Sequence, residues 1–292
     1  MSGVQDRQSV GVGVGRPAFT VLCATRPLVC GVLNVTPDSF SDVGRFLDPG
    51  RAVAHGLELA RQGADLIDIG GESTRPGAQP PTLDEELNRV VPVVQSLAQL
   101  TDVPLSVDTS RPEVMREAVR VGASMINDVR ALRMPGALDA AAELGVPVCL
   151  MHMQGEPGTM QRSPRYDDVV SEVRRFLADR MRTAELAGVN QELILVDPGF
   201  GFGKTLAHNV TLLAELRQFT GLGARIMVGL SRKSMIGAIT GRPVELRLAG
   251  SIAAAIIAVQ RGANVVRVHD VAATRDALAV LAEVDRERRP DK

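Results

Sequence analysis

Tryptophan is absent from this sequence of 292 residues, and aromatic residues make up only 3% of it. Proteins that bind single-stranded nucleic acid stack the bases on aromatic side chains, so this scarcity argues against that class. The formal net charge is only −1, which gives no electrostatic basis for binding nucleic acid or an anionic membrane. We therefore expect neither of these as a partner.

Cysteine is also scarce, with only Cys23, Cys30 and Cys149 in the chain. The odd number and the lack of CxxC spacing argue against a disulfide framework and against a thiolate metal site. Cys30 and Cys149 lie within apolar runs, which is typical of buried, unreactive thiols.

Long hydrophobic runs are missing as well. No apolar core of the kind found in secretory signals precedes Arg26. The longest apolar helical segment, 246–259, is interrupted by Arg247 and Ser251 and is too short to span a bilayer. Together with the cysteines, this pattern predicts a soluble protein of the cytoplasm.

Short apolar runs alternate with helical patterns along most of the chain, and 45% of the residues are apolar. Runs of this length bounded by turn residues are typical of buried parallel strands. The expected strands are residues 28–34, 66–70, 104–108, 125–128, 148–152, 193–197, 225–230 and 265–269. The expected helices are about 51–62, 84–100, 112–121, 136–144, 166–187, 209–219, 245–261 and 272–284.

Eight such units predict a closed (β/α)8 TIM barrel with its active site at the C-terminal ends of the strands. The alternative, an open doubly wound sheet, usually carries a glycine fingerprint after its first strand, which this chain lacks. We expect a single barrel domain over 22–292, preceded by a flexible segment over 1–21. Local signals include a capping box from Thr82 to Glu85, a left-handed cap at Gly63 and an N-cap at Ser110.

Polar side chains stand at nearly every expected strand end, where the barrel would gather them around one pocket. The residues at these strand ends are Asn34, Thr74, Arg75, Asp108, Asn127, Asp128, Met151, His152, Asp197, Lys233, Arg267 and His269. Met151 is apolar and is included because it precedes His152.

These residues divide by charge. The acceptors Asp108, Asn127 and Asp197 suit a planar heterocycle with an amino-amidine edge, because a carboxylate accepts two parallel N–H bonds. The donors Arg75, Arg267 and His269, expected on the opposite part of the ring, suit phosphate or pyrophosphate. Asn34 between them offers one oxygen to a mostly hydrated Mg2+.

Other motifs are less informative. The segment 199–205 resembles a P-loop, but its glycine spacing fails, and no HExxH pattern indicates a zinc hydrolase. Met151 is expected in the pocket wall. Phe40 and Phe202 fit two alternatives equally, covers over a flat substrate or local loop packing.

At these residues the chain resembles the dihydropteroate synthase family. The matching motifs are LNVTPDSFSD (33–42), DIGGESTRPG (68–77), SVDTS (106–110), INDV (126–129), MHMQG (151–155), DPGFGFGK (197–204), GLSRKS (229–234) and RVHD (267–270). They span nearly the whole expected barrel, and the resemblance implies the same fold.

The resemblance also implies a reaction and a set of roles. The enzyme would join p-aminobenzoate to 6-hydroxymethyl-7,8-dihydropterin diphosphate, releasing pyrophosphate and giving 7,8-dihydropteroate. Asp108, Asp197, Lys233 and Arg75 would act in catalysis. The pterin diphosphate would contact Thr74, Asp108, Asn127, Met151, Asp197, Lys233, Arg267 and His269. The p-aminobenzoate would contact Thr74, Arg75, Pro76, Phe40, Phe202 and Ser231, and Asn34 would bind Mg2+.

Departure of the diphosphate would leave a methylene cation that is conjugated with the pterin, so we expect a dissociative, SN1-like substitution. The aromatic amine is neutral at pH 7 and nucleophilic, so no strong general base is needed. Family resemblance further suggests a homodimer and a target of sulfonamides. Two rival functions are a methyltetrahydrofolate-dependent methyltransferase and a catalytically silent pterin-binding paralogue. The intact loop motifs and the expected diphosphate cluster favour the synthase over both.

Overall fold

The computed structural model describes residues 22–36, 49–73, 79–155 and 158–287, and it has the expected alternation of strands and helices. The strands are β1 Leu28–Asn34, β2 Leu66–Gly70, β3 Leu105–Asp108, β4 Met125–Asp128, β5 Val148–Met151, β6 Ile194–Asp197, β7 Arg225–Gly229 and β8 Val265–Val268. The α-helices are α1 Pro49–Arg61, α2 Leu83–Leu100, α3 Pro112–Arg120, α4 Ala137–Leu144, α5 Val169–Leu186, α6 Leu206–Ala214, α7 Ser234–Thr240, α8 Leu248–Gln260 and α9 Val271–Glu287.

The strands form a closed parallel barrel in sequence order. Closure is made by β1 and β8, where Leu28 pairs with Val265 and Gly31 with Val268. A parallel strand pair needs a helical crossover, and each crossover packs a helix against the outer face of the sheet. The predicted (β/α)8 TIM barrel is therefore confirmed, and the open sheet is excluded.

The side chains of each strand alternate between the two faces of the barrel wall. One buried cluster fills the lower interior with Leu28, Cys30, Leu66, Met125, Cys149, Leu195, Met227 and Val265. A larger cluster, which includes Val29, Ile67 and Ile126, packs between the strands and the helices. The two thiols that were expected to be buried, Cys30 and Cys149, belong to the interior cluster and form no disulfide.

Two of the three cap predictions are confirmed. The Thr82 hydroxyl accepts from the Glu85 N–H at 3.2 Å, while the Glu85 carboxylate accepts from the Thr82 N–H at 2.7 Å. Gly63 has φ +89°, a left-handed conformation at the end of α1. The cap at Ser110 is wrong, because its hydroxyl donates to Asp128 and Arg111 occupies the N-cap position.

Several helix boundaries differ from the prediction by up to about five residues, and one short helix is additional. Helix α5 begins at Val169, because the carboxylate of Asp168 accepts the N–H groups of its first turn. Helix α6 ends at Ala214 and is followed by a 3-10 segment, Leu216–Leu222. The short helix α7 was not predicted. Among the helices of the described segments, none has both the length and the apolarity needed to cross a membrane.

Candidate active site

The polar residues of the upper barrel lie on the same face of each strand as the interior cluster. Each of them follows an interior-facing residue at a spacing of two or four along its strand, and this period directs the side chain into the barrel. The polar group consists of Asn34, Asp68, Asp108, Asn127, Asp197 and Arg267, and the apolar Met151 has the same facing on β5. On β3 the residue two before Asp108 is the buried Ser106. The C-terminal end of the barrel therefore has a polar interior above an apolar one.

Arg267 connects two carboxylates in this interior. Its Nε donates to Asp68 at 2.6 Å, and its Nη2 donates to Asp108 at 2.9 Å. The side chain of Asp68 is 1% exposed, and that of Arg267 is 21% exposed. Burial alone would lower the pKa of Arg267, but the two carboxylates outweigh it and raise the pKa. The guanidinium is therefore a permanent cation at the centre of the site.

Asp68 also holds Asn127, whose amide Nδ2 donates to it at 2.9 Å. Its other oxygen, Oδ1, is buried and has no hydrogen-bond partner among the described residues. Asp68 was not among the predicted site residues, because it lies two residues before the strand end. The available signal was a carboxylate inside the apolar strand LIDIG, at a spacing of two from Leu66.

Asp108 differs from an ordinary surface carboxylate. Its pKa is raised to about 8, mainly because it is buried; the charge of Arg267 opposes this shift and the charge of Asp68 adds to it. The predicted separation of acceptors and donors is wrong here, because Arg267 extends across the barrel to Asp108. Arg267, Asp68, Asp108 and Asn127 therefore form one network instead of two opposed halves.

Asp197 lies at the end of β6 and is 5% exposed. One of its oxygens, Oδ1, accepts the backbone N–H of Gly199 at 2.7 Å. Burial raises the pKa of Asp197, and the hydrogen bond from Gly199 and the charge of Lys233 oppose that effect. The other carboxylate oxygen receives no hydrogen bond from the described residues and is available to a ligand.

Lys233 precedes helix α7 and turns towards the loop after β6. Its ammonium donates to the carbonyl of Phe200 and lies 4.3 Å from the centre of the Phe202 ring. Burial lowers the pKa of Lys233 to about 8, although Asp197 opposes this shift. Asp197, Phe202 and Lys233 are therefore held around one loop.

Two further predicted residues are adjacent to each other. The hydroxyl of Ser231, 7% exposed, accepts the backbone N–H of His269 at 3.2 Å and lies 3.1 Å from its ring Nδ1. Met151 packs with Val129, Met153 and Met160, and Phe202 packs against this group. The prediction of Met151 as a wall residue agrees with this packing.

Two residues from the strand ends do not enter the barrel interior. Asp128 follows Asn127 and has the opposite facing, so its carboxylate accepts the N–H groups of Arg130 at 2.8 Å and Leu132 at 2.7 Å. His152 likewise faces away and contacts Lys204 at 2.9 Å. Four predicted residues, Phe40, Thr74, Arg75 and Pro76, lie outside the described residues.

Comparison with known proteins identifies the family. The family described as pterin binding enzymes matches residues 30–269. A dihydropteroate synthase of Escherichia coli strain K12 is 53% identical over 262 residues, which cover 90% of this chain and 93% of the relative. The chain belongs to the dihydropteroate synthase family. The resemblance inferred from the sequence motifs is thereby confirmed.

Solved structures of dihydropteroate synthases have the same fold. The enzyme of Xanthomonas albilineans with 4-aminobenzoic acid has a TM-score of 0.85 and 59% identity, covering 89% of this chain and 94% of that chain. The same enzyme in complex with 7,8-dihydropteroate has a TM-score of 0.82 and 56% identity, with the same coverage. The barrel described above is therefore a dihydropteroate synthase barrel over most of its length.

Proposed function

We propose that this protein is a dihydropteroate synthase that condenses p-aminobenzoate with 6-hydroxymethyl-7,8-dihydropterin diphosphate and releases pyrophosphate. The observation that carries the proposal is the polar network in the upper barrel, where Arg267 bonds Asp68 and Asp108 and Asp68 holds Asn127. Asp197 lies near enough for the charge of Arg267 to act on it. Carboxylates and an amide bind the donor edge of a pterin, and a permanent cation binds the diphosphate that the pterin carries.

The pterin is held by Asp108, Asn127, Asp197 and Lys233. The unpaired oxygen of Asp197 accepts N–H donors from the amino-amidine edge, while its other oxygen stays on Gly199. Met151 lies below the ring as an apolar wall. Burial of both carboxylates strengthens these bonds, since water does not compete for the ring nitrogens.

The diphosphate is bound by Arg267 and His269, with Asn34 contributing to a bound Mg2+. Asn34 is half-buried at the end of β1, between β2 and β8. Within the described segments no group of three or more His, Cys, Asp or Glu side chains could hold a metal. One amide oxygen fits Mg2+, which keeps several waters and takes phosphate oxygens as ligands. When bound, the ion neutralises charge on the leaving diphosphate.

The p-aminobenzoate site is formed by Phe202 and Ser231 together with Phe40, Thr74, Arg75 and Pro76. Phe202 stands beside Lys233, and Ser231 stands beside His269. Both residues therefore adjoin the groups proposed to hold the pterin diphosphate. Arg75 supplies a cation for the carboxylate of the aromatic acid.

The reaction is an SN1-like substitution at the pterin methylene. The C–O bond breaks and its electron pair leaves with the diphosphate, which is held by Arg267. The resulting methylene cation is conjugated with the pterin and is stabilised by the charges of Asp108 and Asp197. The amine nitrogen then forms the new C–N bond, and its extra proton passes to water or to the departing pyrophosphate.

A pyrophosphate-release assay tests the function. We expect release that depends on p-aminobenzoate, that is blocked by sulfonamide mimics of the amine, and that falls when Mg2+ is removed. Positional isotope exchange in the pterin diphosphate tests the dissociative step, since reversible C–O cleavage scrambles the bridging oxygen. Absence of scrambling, together with a rate set by amine basicity, would contradict the SN1-like route.

We also propose a homodimer formed through the last helices. Val280 and Val284 of α9 are 66% and 53% exposed, and Leu248 of α8 is 41% exposed. Ala254 faces the barrel, whereas Ala253 faces outward. A partner that covers this apolar surface would remove it from water. Sedimentation of the wild type and of Val280→Glu tests the proposal, because a charge at the interface should yield monomers.

A cytoplasmic location and a single domain over 22–292 complete the proposal. Cys23, Cys30 and Cys149 are free thiols, which is typical of a reducing compartment. Arg225 at the start of β7 donates to the carbonyl of Ala24 at 2.9 Å, so the chain before β1 packs on the barrel. A chain that begins at Leu22 should therefore keep its fold and its synthase activity.

A further inference from the structure

Lys204 is a buried cation for which the proposed reaction has no use. It closes the glycine-rich segment 197–204, whose spacing fails as a P-loop. Its side chain is 3% exposed, and burial lowers its pKa well below the ordinary lysine value. Burying an ammonium is costly unless its donors are bonded, so its partners indicate what it does.

The Lys204 ammonium bonds to its own loop and to the end of β5. Its Nζ lies 2.8 Å from the carbonyl of Gly199 and 3.0 Å from that of Phe202. The same atom lies 2.9 Å from Nδ1 and 3.4 Å from the carbonyl of His152. Burial lowers the pKa of His152 to about 2, so its ring is neutral and Nδ1 accepts.

Glycines allow the two loops to approach closely enough for these bonds. Gly199 has φ +69°, and a Cβ there would lie 1.9 Å from the carbonyl oxygen of His152. Gly203 has φ +61°, and its Cβ would lie 2.4 Å from the carbonyl oxygen of Gln154. Other residues would clash at both places. The segment is therefore folded around Lys204 and not around a phosphate.

The loop that Lys204 closes also holds two residues of the pterin site. The N–H of Gly199 donates to Asp197, and the carbonyl of Phe200 accepts from Lys233. The ring of Phe202 covers the Lys233 ammonium. Lys204 thus bonds the carbonyls of Gly199 and Phe202, which lie next to the peptide units that contact Asp197 and Lys233.

We propose that Lys204 is a positioning residue for the pterin site, holding the loop after β6 so that Asp197 and Lys233 face the substrate. It acts through the carbonyls of Gly199 and Phe202 and touches no substrate itself. The role of Lys204 in catalysis rests on the proposed function. The structural role of Lys204, which is to couple its own position to that of Lys233, can be measured without any catalytic turnover.

Lysine is rare enough here to make that measurement simple, because Lys204, Lys233 and Lys292 are the only three in the sequence. We propose 15N labelling of lysine side chains and observation of the ammonium groups by NMR in the whole protein. In the wild type, the Lys204 ammonium should exchange with water much more slowly than an exposed one. In Lys204→Met, the Lys233 signal should shift, because the loop no longer holds its acceptor.

The pH profile separates positioning from simple loss of stability. Asp197 faces Lys233, Lys204 and Arg267 as charged neighbours, and Cys149 lies near it on β5. Removing the Lys204 charge should raise the pKa of Asp197. The pH at which pterin binding is lost on acidification, here called the acid limb, should then move up by about one pH unit. Lys204→Arg should keep the acid limb but weaken pterin binding, because a planar fork does not match these acceptors.

The matched control is Tyr166→Phe. The Tyr166 hydroxyl donates to the carbonyl of Gly203 at 2.8 Å, so this variant removes one bond from the same loop without touching Gly199 or Phe202. It should lower stability while leaving the Lys233 signal and the acid limb unchanged.

Rapid exchange of the wild-type Lys204 ammonium would overturn the proposal, even if Lys204→Met fails to fold. An unchanged Lys233 signal in Lys204→Met, or a shift of equal size in Tyr166→Phe, would overturn it as well. If the wild type shows no amine-dependent pyrophosphate release, the proposed function fails, whereas the exchange and the Lys233 signal still decide the role of Lys204.

Discussion

Arg267 and Asp108 are bonded across the upper barrel, with 2.9 Å between Nη2 and Oδ2, although β1 and β2 stand between their strands. The contact links the cation proposed for the diphosphate directly to a carboxylate proposed for the pterin. A substrate that carries both parts would bind to one connected network. Replacing any one side chain of this network should therefore affect the other side chains in it.

Asp68 anchors this network and is our first prediction. In Asp68→Asn, Arg267 loses one of its two carboxylates, and an incompletely paired cation stays buried. We expect the free energy of unfolding to fall by about 3 kcal/mol, as when a buried ion pair is broken. We also expect kcat/KM to fall at least tenfold, measured by pyrophosphate release alongside urea unfolding.

The control for Asp68 is Asp65→Asn. Asp65 accepts from Arg26 at 2.5 Å and from Arg275 at 3.0 Å, just before β2 at the opposite end of the barrel. That variant should lose stability and keep its kcat/KM. Equal kinetic losses in both variants would mean that Asp68 acts only through folding.

Replacing Arg267 should discriminate between two ligands. In Arg267→Gln, we expect the affinity for the pterin diphosphate to fall about ten- to a hundredfold, since charge-assisted bonds contribute about 1.5–3 kcal/mol each. The free hydroxymethylpterin should lose much less. Calorimetric titration of both ligands measures the difference, with Arg225→Gln at the other end of the barrel as control. Equal losses for both ligands would remove Arg267 from the diphosphate site.

Asp197 should decide binding of the pterin ring. Asp197→Asn keeps an oxygen for the N–H of Gly199 but loses the charge that accepts the amino-amidine edge. We expect pterin affinity to fall at least tenfold, because a charged acceptor forms the stronger hydrogen bond. Asp128→Asn, at a buried carboxylate that faces away from the interior, should lose stability without losing affinity. Unchanged pterin binding in Asp197→Asn would refute the assignment.

The raised pKa of Asp108 predicts opposite pH effects on stability and binding. Between the ordinary carboxyl value of 3.8 and about 8, the folded protein binds more protons at Asp108 than the unfolded chain does. The stability contributed by this group should therefore decrease as pH rises through that window. Pterin binding needs the carboxylate, so affinity should increase over the same range.

Thermal unfolding and calorimetry across this pH range test both trends. Asp108→Asn removes the titrating group, so both dependences should become flatter in that variant. A wild type whose stability rises with pH as strongly as its pterin affinity would contradict the assignment to Asp108.

The order of the strands, and of every helix except α7, was determined by the sequence alone. Short apolar runs that end at turn residues are typical of buried strands, and eight β/α units in series predict a closed barrel. Each strand end could be located within one residue of its observed position. Because the carboxyl ends of parallel strands meet at one face, the candidate site followed from those ends.

Only the tertiary structure decided which side chains face the barrel interior and which of them contact one another. Asn127 and Asp128 are adjacent in sequence, yet one faces the barrel interior and the other caps a loop, because side chains alternate along a strand. The bonds from Arg267 to Asp68 and Asp108 cross the barrel and depend on how β8 closes against β1. Local sequence patterns contain no information about such distances, so these partners required the closed fold.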